Sequence, residues 1–197
     1  MSSSAVTHDD TFRAGRELGV DHLKLGVWRF LASEVMFFGG LIAAFLHYKF
    51  GPTPRQAAQL NLPLVGANTF VLLTSSFTVV LRLAAIRRGS RGGLVGFLAL
   101  TVLLGAAFLA GQGYEFASLY REGVTLTSSV FGSSFFTLTG FHGLHVLIGL
   151  AWALPTLVRG VLGRYTSASC EGVEVFGLSW HFVDIVWIVL FTLIYLL

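Results

Sequence analysis

The sequence predicts an all-α membrane protein: a bundle of five transmembrane helices, with the N-terminus cytoplasmic and the C-terminus periplasmic. Three observations predict it. Of the 197 residues, 54% are hydrophobic and only 12% charged, about half the charged share of an ordinary soluble domain at ~25%. Five apolar segments reach the ~20 residues that a helix needs to cross a bilayer. Lysine and arginine are unevenly distributed between the two sides those segments define.

The spans read as roughly 26–48, 62–83, 94–113, 130–157 and 175–197, preceded by a polar cytoplasmic segment, 1–25. The breaks are the Gly51-Pro-Thr-Pro54 stretch, the Arg87-Arg-Gly-Ser-Arg-Gly-Gly93 turn, residues 115–129 and residues 159–174. None has room for another domain, so residues 26–197 form one helical unit. With the Arg87/Arg88/Arg91 turn in the cytoplasm, ten Lys/Arg fall on that side and three, Lys49, Arg55 and Arg121, fall opposite. That bias places the N-terminus inside.

Composition excludes several function classes. The single cysteine, Cys170, rules out an internal disulfide and a cysteine-built metal site. The net charge of +3 is modest, and the arginines lie between apolar segments rather than interleaved with aromatics, so nucleic acid is not an expected partner. The first residues, with Asp9, Asp10 and Glu17, lack the layout of a cleaved signal or an acid-poor transit peptide. No nucleophile with its base, phosphate loop or dinucleotide fingerprint is present.

The first span carries the residue that most needs explaining. Glu34 lies about 12 Å in from the start of the apolar stretch at 1.5 Å per residue, where an acidic side chain costs ~2.5–3.5 kcal/mol on insertion scales. It needs a partner. Ala32, Gly39 and Ala43 form a small-residue stripe suited to close helix contact, while Glu34 shares another side with Phe38 and Phe45. Both sides thus predict neighbours and place this helix inside the bundle. The second span contributes Thr74, Ser75 and Ser76 near its middle. In the fourth, His142 and His145 stand one turn apart; in the fifth, Glu174, His181 and Asp184 share a face. Counted from the cytoplasmic ends, Glu34, His142, His145, His181 and Asp184 fall at depths of about 12 to 22 Å. They make a polar belt able to supply Glu34 with partners, and spacing does not say which pair touches.

The belt admits three roles: a metal or haem site, proton handling, and a hydrogen-bonded network that locks helices together. The Glu-x-x-His pattern of di-iron bundles is absent, so no metal is assigned. Trp28 and Trp180 fall near the cytoplasmic interface, where tryptophan is enriched, and read as anchoring and packing residues rather than a cofactor stack. Tyr114, Glu115 and Tyr120 read as a cap where the third span leaves the membrane. Arg164 and Glu174 flank the last cytoplasmic loop, where an arginine suits a phospholipid headgroup and equally the ordinary basic character of an inside loop.

Three stretches, Leu31-Ala-Ser-Glu-Val-Met-Phe-Phe-Gly-Gly40, Phe131-Gly-Ser-Ser-Phe-Phe-Thr-Leu-Thr-Gly-Phe-His-Gly-Leu-His-Val146 and Trp180-His-Phe-Val-Asp-Ile-Val-Trp187, closely resemble subunit III of haem-copper cytochrome c oxidases. Asn68-Thr69, Leu72-Leu-Thr-Ser-Ser76 and Gln112-Gly-Tyr-Glu115 add to the resemblance, which runs from about Lys24 to the last residue. It implies an accessory subunit of a respiratory oxidase that couples oxygen reduction to proton translocation. Such a subunit binds the side of subunit I, keeps proton uptake fast, protects the oxygen-reducing site during turnover and holds phospholipids in a cleft. Haem and copper are expected in the partner subunits and none in this chain. Subunit II, further small subunits and a respiratory supercomplex are the other partners it implies. The family's carbodiimide-reactive glutamate matches Glu34, and Glu174 matches the family's glutamate seven residues before the motif histidine.

The departures are informative. Mitochondrial-type members resemble seven-helix proteins, and this chain begins at the third of those helices, the five-helix form typical of bacteria and of their cytoplasmic membrane. A His-His-Phe-Gly-Phe-Glu stretch before the last helix is replaced by Thr166-Ser-Ala-Ser-Cys-Glu-Gly-Val-Glu174, which leaves the lipid role of Arg164 open. Related five-helix subunits serve quinol oxidases and nitric oxide reductases, and the quinol version tends to carry Ser-Asp where this chain has Ser33-Glu34. A free-standing transporter would call for inverted repeats with matched helix breaks. The sequence shows neither.

Overall fold

Five long helices account for nearly all of the described chain. The computed structural model describes residues 22–50, 61–163 and 171–197. The helices are α1 (His22–Lys49), α2 (Leu62–Arg87), α3 (Arg91–Arg121), α4 (Val130–Val161) and α5 (Glu171–Phe191), and α5 runs on into a turn of π-helix, Thr192–Leu196. Each contains a segment long and apolar enough to cross a membrane, and there is no strand among the described residues. The expected polar segment 1–25 lies, as far as residue 21, outside the described residues.

A bilayer offers no water to backbone N–H and C=O groups, so each crossing segment must satisfy them internally as a helix. The helices therefore overrun the apolar segments. The third was expected to end near Gly113 and continues to Arg121: its 31 residues span about 46 Å against a hydrocarbon core of about 30 Å. Hydropathy marks the bilayer, whereas capping marks the helix end. The ends themselves follow local chemistry. Asn61 Oδ1 accepts the Leu64 N–H ahead of α2 (3.2 Å). Ser90 and Ser129 cap α3 and α4 by accepting from Gly93 (3.3 Å) and Gly132 (3.0 Å), in the way N-cap serines do. Gly89, between α2 and α3, takes a φ of 71°, a left-handed conformation that glycine adopts without a Cβ penalty.

The tightest pair is the α2–α3 hairpin. Thr78 and Thr101 bond across it at 2.7 Å, and Asn68 Nδ2 donates to the Phe108 carbonyl at 3.0 Å. Gln112 on α3 donates to the Thr139 carbonyl on α4 at 2.7 Å. Between α3, α4 and α5 lies a continuous core that includes Leu98, Phe108, Phe135, Leu138, Val146, Trp180 and Trp187. Close packing here rests on small residues. A Cβ at Gly105 of α3 or at Gly149 of α4 would come 2.9 Å from the Trp180 ring, so both helices give way to that indole.

Helix α1 packs against α4 and α5 and lies at the edge of the bundle. Phe38 and Phe45 are buried, but Ala32, Gly39 and Ala43 are exposed, and a Cβ at Gly39 would meet nothing within 4 Å. The expected small-residue contact is thus not made within this chain, and the helix is covered on one side only. Small residues permit a close approach; they do not supply the neighbour.

Candidate functional site

The carboxylate of Glu34 finds its partner on α4. Glu34 Oε2 lies 2.9 Å from His145 Nε2, with the two side chains 16% and 17% exposed. The other ring nitrogen, Nδ1, bonds the Phe141 carbonyl at 2.7 Å. A carbonyl only accepts, so Nδ1 carries a proton and Nε2 faces Glu34. The contact joins two ionisable groups across the α1–α4 interface. Phe38 meets the His145 ring at 5.1 Å and Phe37 meets Phe141 at 5.1 Å, both edge-on, so rings shield the pair on one side.

On its other side the pair borders a cavity of about 300 Å³ between α1, α4 and α5. Its walls are Phe30 and Leu31 from α1, Ile148, Gly149 and Trp152 from α4, and Phe176, Ser179, Trp180, Phe182 and Val183 from α5. The Ser179 hydroxyl is engaged by the Val175 and Phe176 carbonyls (3.1 and 3.0 Å). The cavity is therefore apolar along its length and polar where Glu34 and His145 stand. That combination suits a hydrocarbon chain near a hydrogen-bonding group.

The other belt residues are placed elsewhere. His181 on α5 bonds Ser76 on α2, with 2.5 Å between Nδ1 and Oγ. Asp184, one turn further along, is buried, and neither carboxylate oxygen has a hydrogen-bond partner among the described residues. His142 is fully buried and stacks on Trp187 with ring centroids 4.7 Å apart, and Phe108 meets it edge-on at 5.8 Å. The belt thus divides into three groups on three helix pairs, and only Glu34 and His145 meet directly. Among the described residues no three His, Cys, Asp or Glu side chains gather as a metal-holding group. Arg164 lies outside the described residues, as does the side chain of Glu174.

Several polar residues take roles that spacing did not suggest. Arg82, counted as part of the basic cytoplasmic border, is 1% exposed and lies over the Phe176 ring at 4.7 Å, a cation–π contact. Of the two roles expected for Trp180, packing is the one it takes: it is buried in the core and donates to Ser75 Oγ at 3.0 Å. Trp28, by contrast, is 59% exposed. Glu115 is no outer cap either. It is buried, and both carboxylate oxygens lie within 3.0 Å of the Tyr195 hydroxyl from the π turn. Lys49, at the end of α1, donates to the Leu193 carbonyl of the same turn at 2.6 Å. The signal that could have found Glu115 is its position: a carboxylate two residues past an apolar span, facing the same way as Gln112.

Fold and site together define a multi-pass membrane protein, a five-helix bundle with a partly buried Glu–His pair beside an apolar cavity. Comparison with known proteins then places it. The family described as cytochrome c oxidase subunit III matches residues 5–197, and the chain belongs to that family. Among its relatives, a probable cytochrome c oxidase subunit 3 of Nocardia farcinica is 42% identical over 88% of this chain and 87% of its own length. The cytochrome c oxidase subunit 3 of Synechocystis is 41% identical over 100% of this chain and 88% of its own. That of Thermostichus vulcanus is 37% identical over 93% and 94%.

Proposed function

We propose that this chain is the accessory subunit of a proton-translocating cytochrome c oxidase in a bacterial cytoplasmic membrane. It docks directly on subunit I, with subunit II in the same complex, and the redox centres reside in those partners. The end of the bundle that carries Arg88 and Arg159 faces the cytoplasm, as the ten-to-three distribution of Lys and Arg favours. Glu34 and His145 support proton uptake by the catalytic subunit, and the cavity beside them holds a phospholipid chain. Arg164 and Glu174 remain candidates for the headgroup. The observation that carries the reading is the Glu34–His145 pair at the polar end of an apolar cavity, in a chain of this family.

The relatives named above are cytochrome c oxidase subunits, and Ser33-Glu34 departs from the Ser-Asp of the quinol version. Both favour cytochrome c over quinol as the electron donor. The test uses the purified complex carrying Glu34→Gln. Haem content is expected to stay unchanged, while proton uptake slows or the enzyme inactivates within fewer turnovers. Unchanged uptake and unchanged lifetime would retire the proposal. Oxidation of reduced quinol but not of reduced cytochrome c by the same preparation would move the chain to the quinol branch.

A further inference from the structure

Helix α1 is held very unevenly along its length. Beyond Gly40 it is pinned: Phe45 is buried and meets Phe131 at 6.1 Å, and Lys49 bonds the Leu193 carbonyl. Before Gly39, Phe37 and Phe38 still pack on Phe141 and His145 of α4, but around Phe30, Leu31 and Glu34 a cavity of about 300 Å³ lies between this helix and α4 and α5. Helices in a bilayer gain nothing from moving apolar surface away from lipid, which is as apolar as they are; packing contacts and polar ties decide whether they adhere. A void forfeits the packing contacts of its walls. Among the described side chains of this half, the polar tie to another helix is Glu34 to His145. At the boundary between the two halves stand Gly39 and Gly40, in the helix interior, where a Cβ would meet nothing within 4 Å. Glycine weakens a helix interior by roughly 0.5–1 kcal/mol relative to alanine, and small-residue pairs are recognised sites of kinking.

We propose that α1 is a lever hinged at Gly39-Gly40. Its Lys49 half stays fixed, and its other half swings away from α4 and α5 when the Glu34–His145 tie opens, admitting an acyl chain of a membrane phospholipid to the cavity. The occupant rests on the lipid reading above; the motion does not. Phe38, adjoining the hinge, moves little, and the displacement grows toward Leu25.

Distances between paired spin labels test the lever in the intact complex, purified with Cys170 replaced by serine. One pair, at Leu25 and Leu162, reports the swinging half; the other, at Tyr48 and Val130, reports the pinned half. The expected result is a broader distribution for the first pair than for the second in the otherwise native protein. Glu34→Leu should broaden and lengthen the first distance and leave the second unchanged, and Gly39→Ala with Gly40→Ala should narrow it again. Equally narrow distributions for both pairs in the native protein would overturn the lever, without recourse to any weakened variant. So would a parallel lengthening of both in Glu34→Leu, since α1 would then be detaching as a rigid rod. Retention of phosphatidylcholine by the purified complex is read separately. A swinging helix that retains no phospholipid would sink the lipid reading and the proposed occupant while the hinge stood.

Discussion

His142 and His145 stand one turn apart on α4 and meet opposite surroundings. His145 turns to α1, meets the Glu34 carboxylate and borders a cavity. His142 turns inward, where Trp187 and Phe108 enclose it and no water reaches it. Three residues on a helix amount to 300°, not a full circle, and the remaining 60° is enough to direct the two rings into different interfaces. Spacing on one helix therefore establishes proximity along the axis without establishing a shared environment. The difference also separates two kinds of intramembrane histidine. His142 packs as an aromatic ring in a closed core, whereas His145 stands against a carboxylate beside a cavity.

That contrast can be broken at His142. Replacing it with alanine should cost about 3 kcal/mol, the range of a large-to-small core change, read as a lowered midpoint for thermal loss of this chain from the complex. Phenylalanine at the same position should cost well under half as much, because neither ring nitrogen has a hydrogen-bond partner among the described residues. Equal losses for both variants would mean that the imidazole nitrogens matter and that His142 resembles His145 after all.

The packed side of the comparison has a second test. Gly105→Ala places a methyl 2.9 Å from the Trp180 ring and from Leu150, an overpacking expected to cost about 1–3 kcal/mol. The same substitution at Gly40 should leave the midpoint within about 0.5 kcal/mol of the native one, as open surface sites do. A reversed order would show that α1, rather than the α3–α4–α5 core, is the tightly packed region.

A smaller loss is expected at the far end of the bundle. Tyr195→Phe removes the hydroxyl that serves both oxygens of Glu115 and should cost about 1–2 kcal/mol, with the carboxyl left without that donor. Adding Glu115→Gln should restore part of the loss if that contact is the cause.

The smallest stability effect belongs to Glu34→Gln. The amide can still donate to His145 Nε2, so the midpoint should move by less than about 1 kcal/mol, within the range of hydrogen bonds between membrane helices. The ionisable carboxyl is what the variant lacks. A large drop in stability, with proton uptake unaltered, would make Glu34 a structural residue like His142.

Most of the architecture was legible before any coordinates. Five apolar runs gave five helices, and their order followed from the short breaks. The site was legible as a set of residues but not as pairs. Glu34 announced itself because a carboxylate inside an apolar run is costly, and the resemblance of the three motifs marked the same residue. Glu115 differs from its expected place because it lies close to where an apolar run ends: position along the chain suggests an interface, and only packing shows that another helix covers it. The Ala32, Gly39, Ala43 stripe erred the other way, promising a contact that this chain does not make.

Amino-acid order by itself thus determined the number of helices, the bilayer as their solvent and the family to which the chain belongs. Tertiary structure alone decided which side of each helix is covered, that Glu34 meets His145 rather than His181 or Asp184, and where the cavity lies. The physical reason is the solvent. In water a helix must show a polar face, and its sequence reveals the buried one. In lipid every side can be apolar, so the covered side is set by packing and by a few polar ties that a linear pattern does not encode.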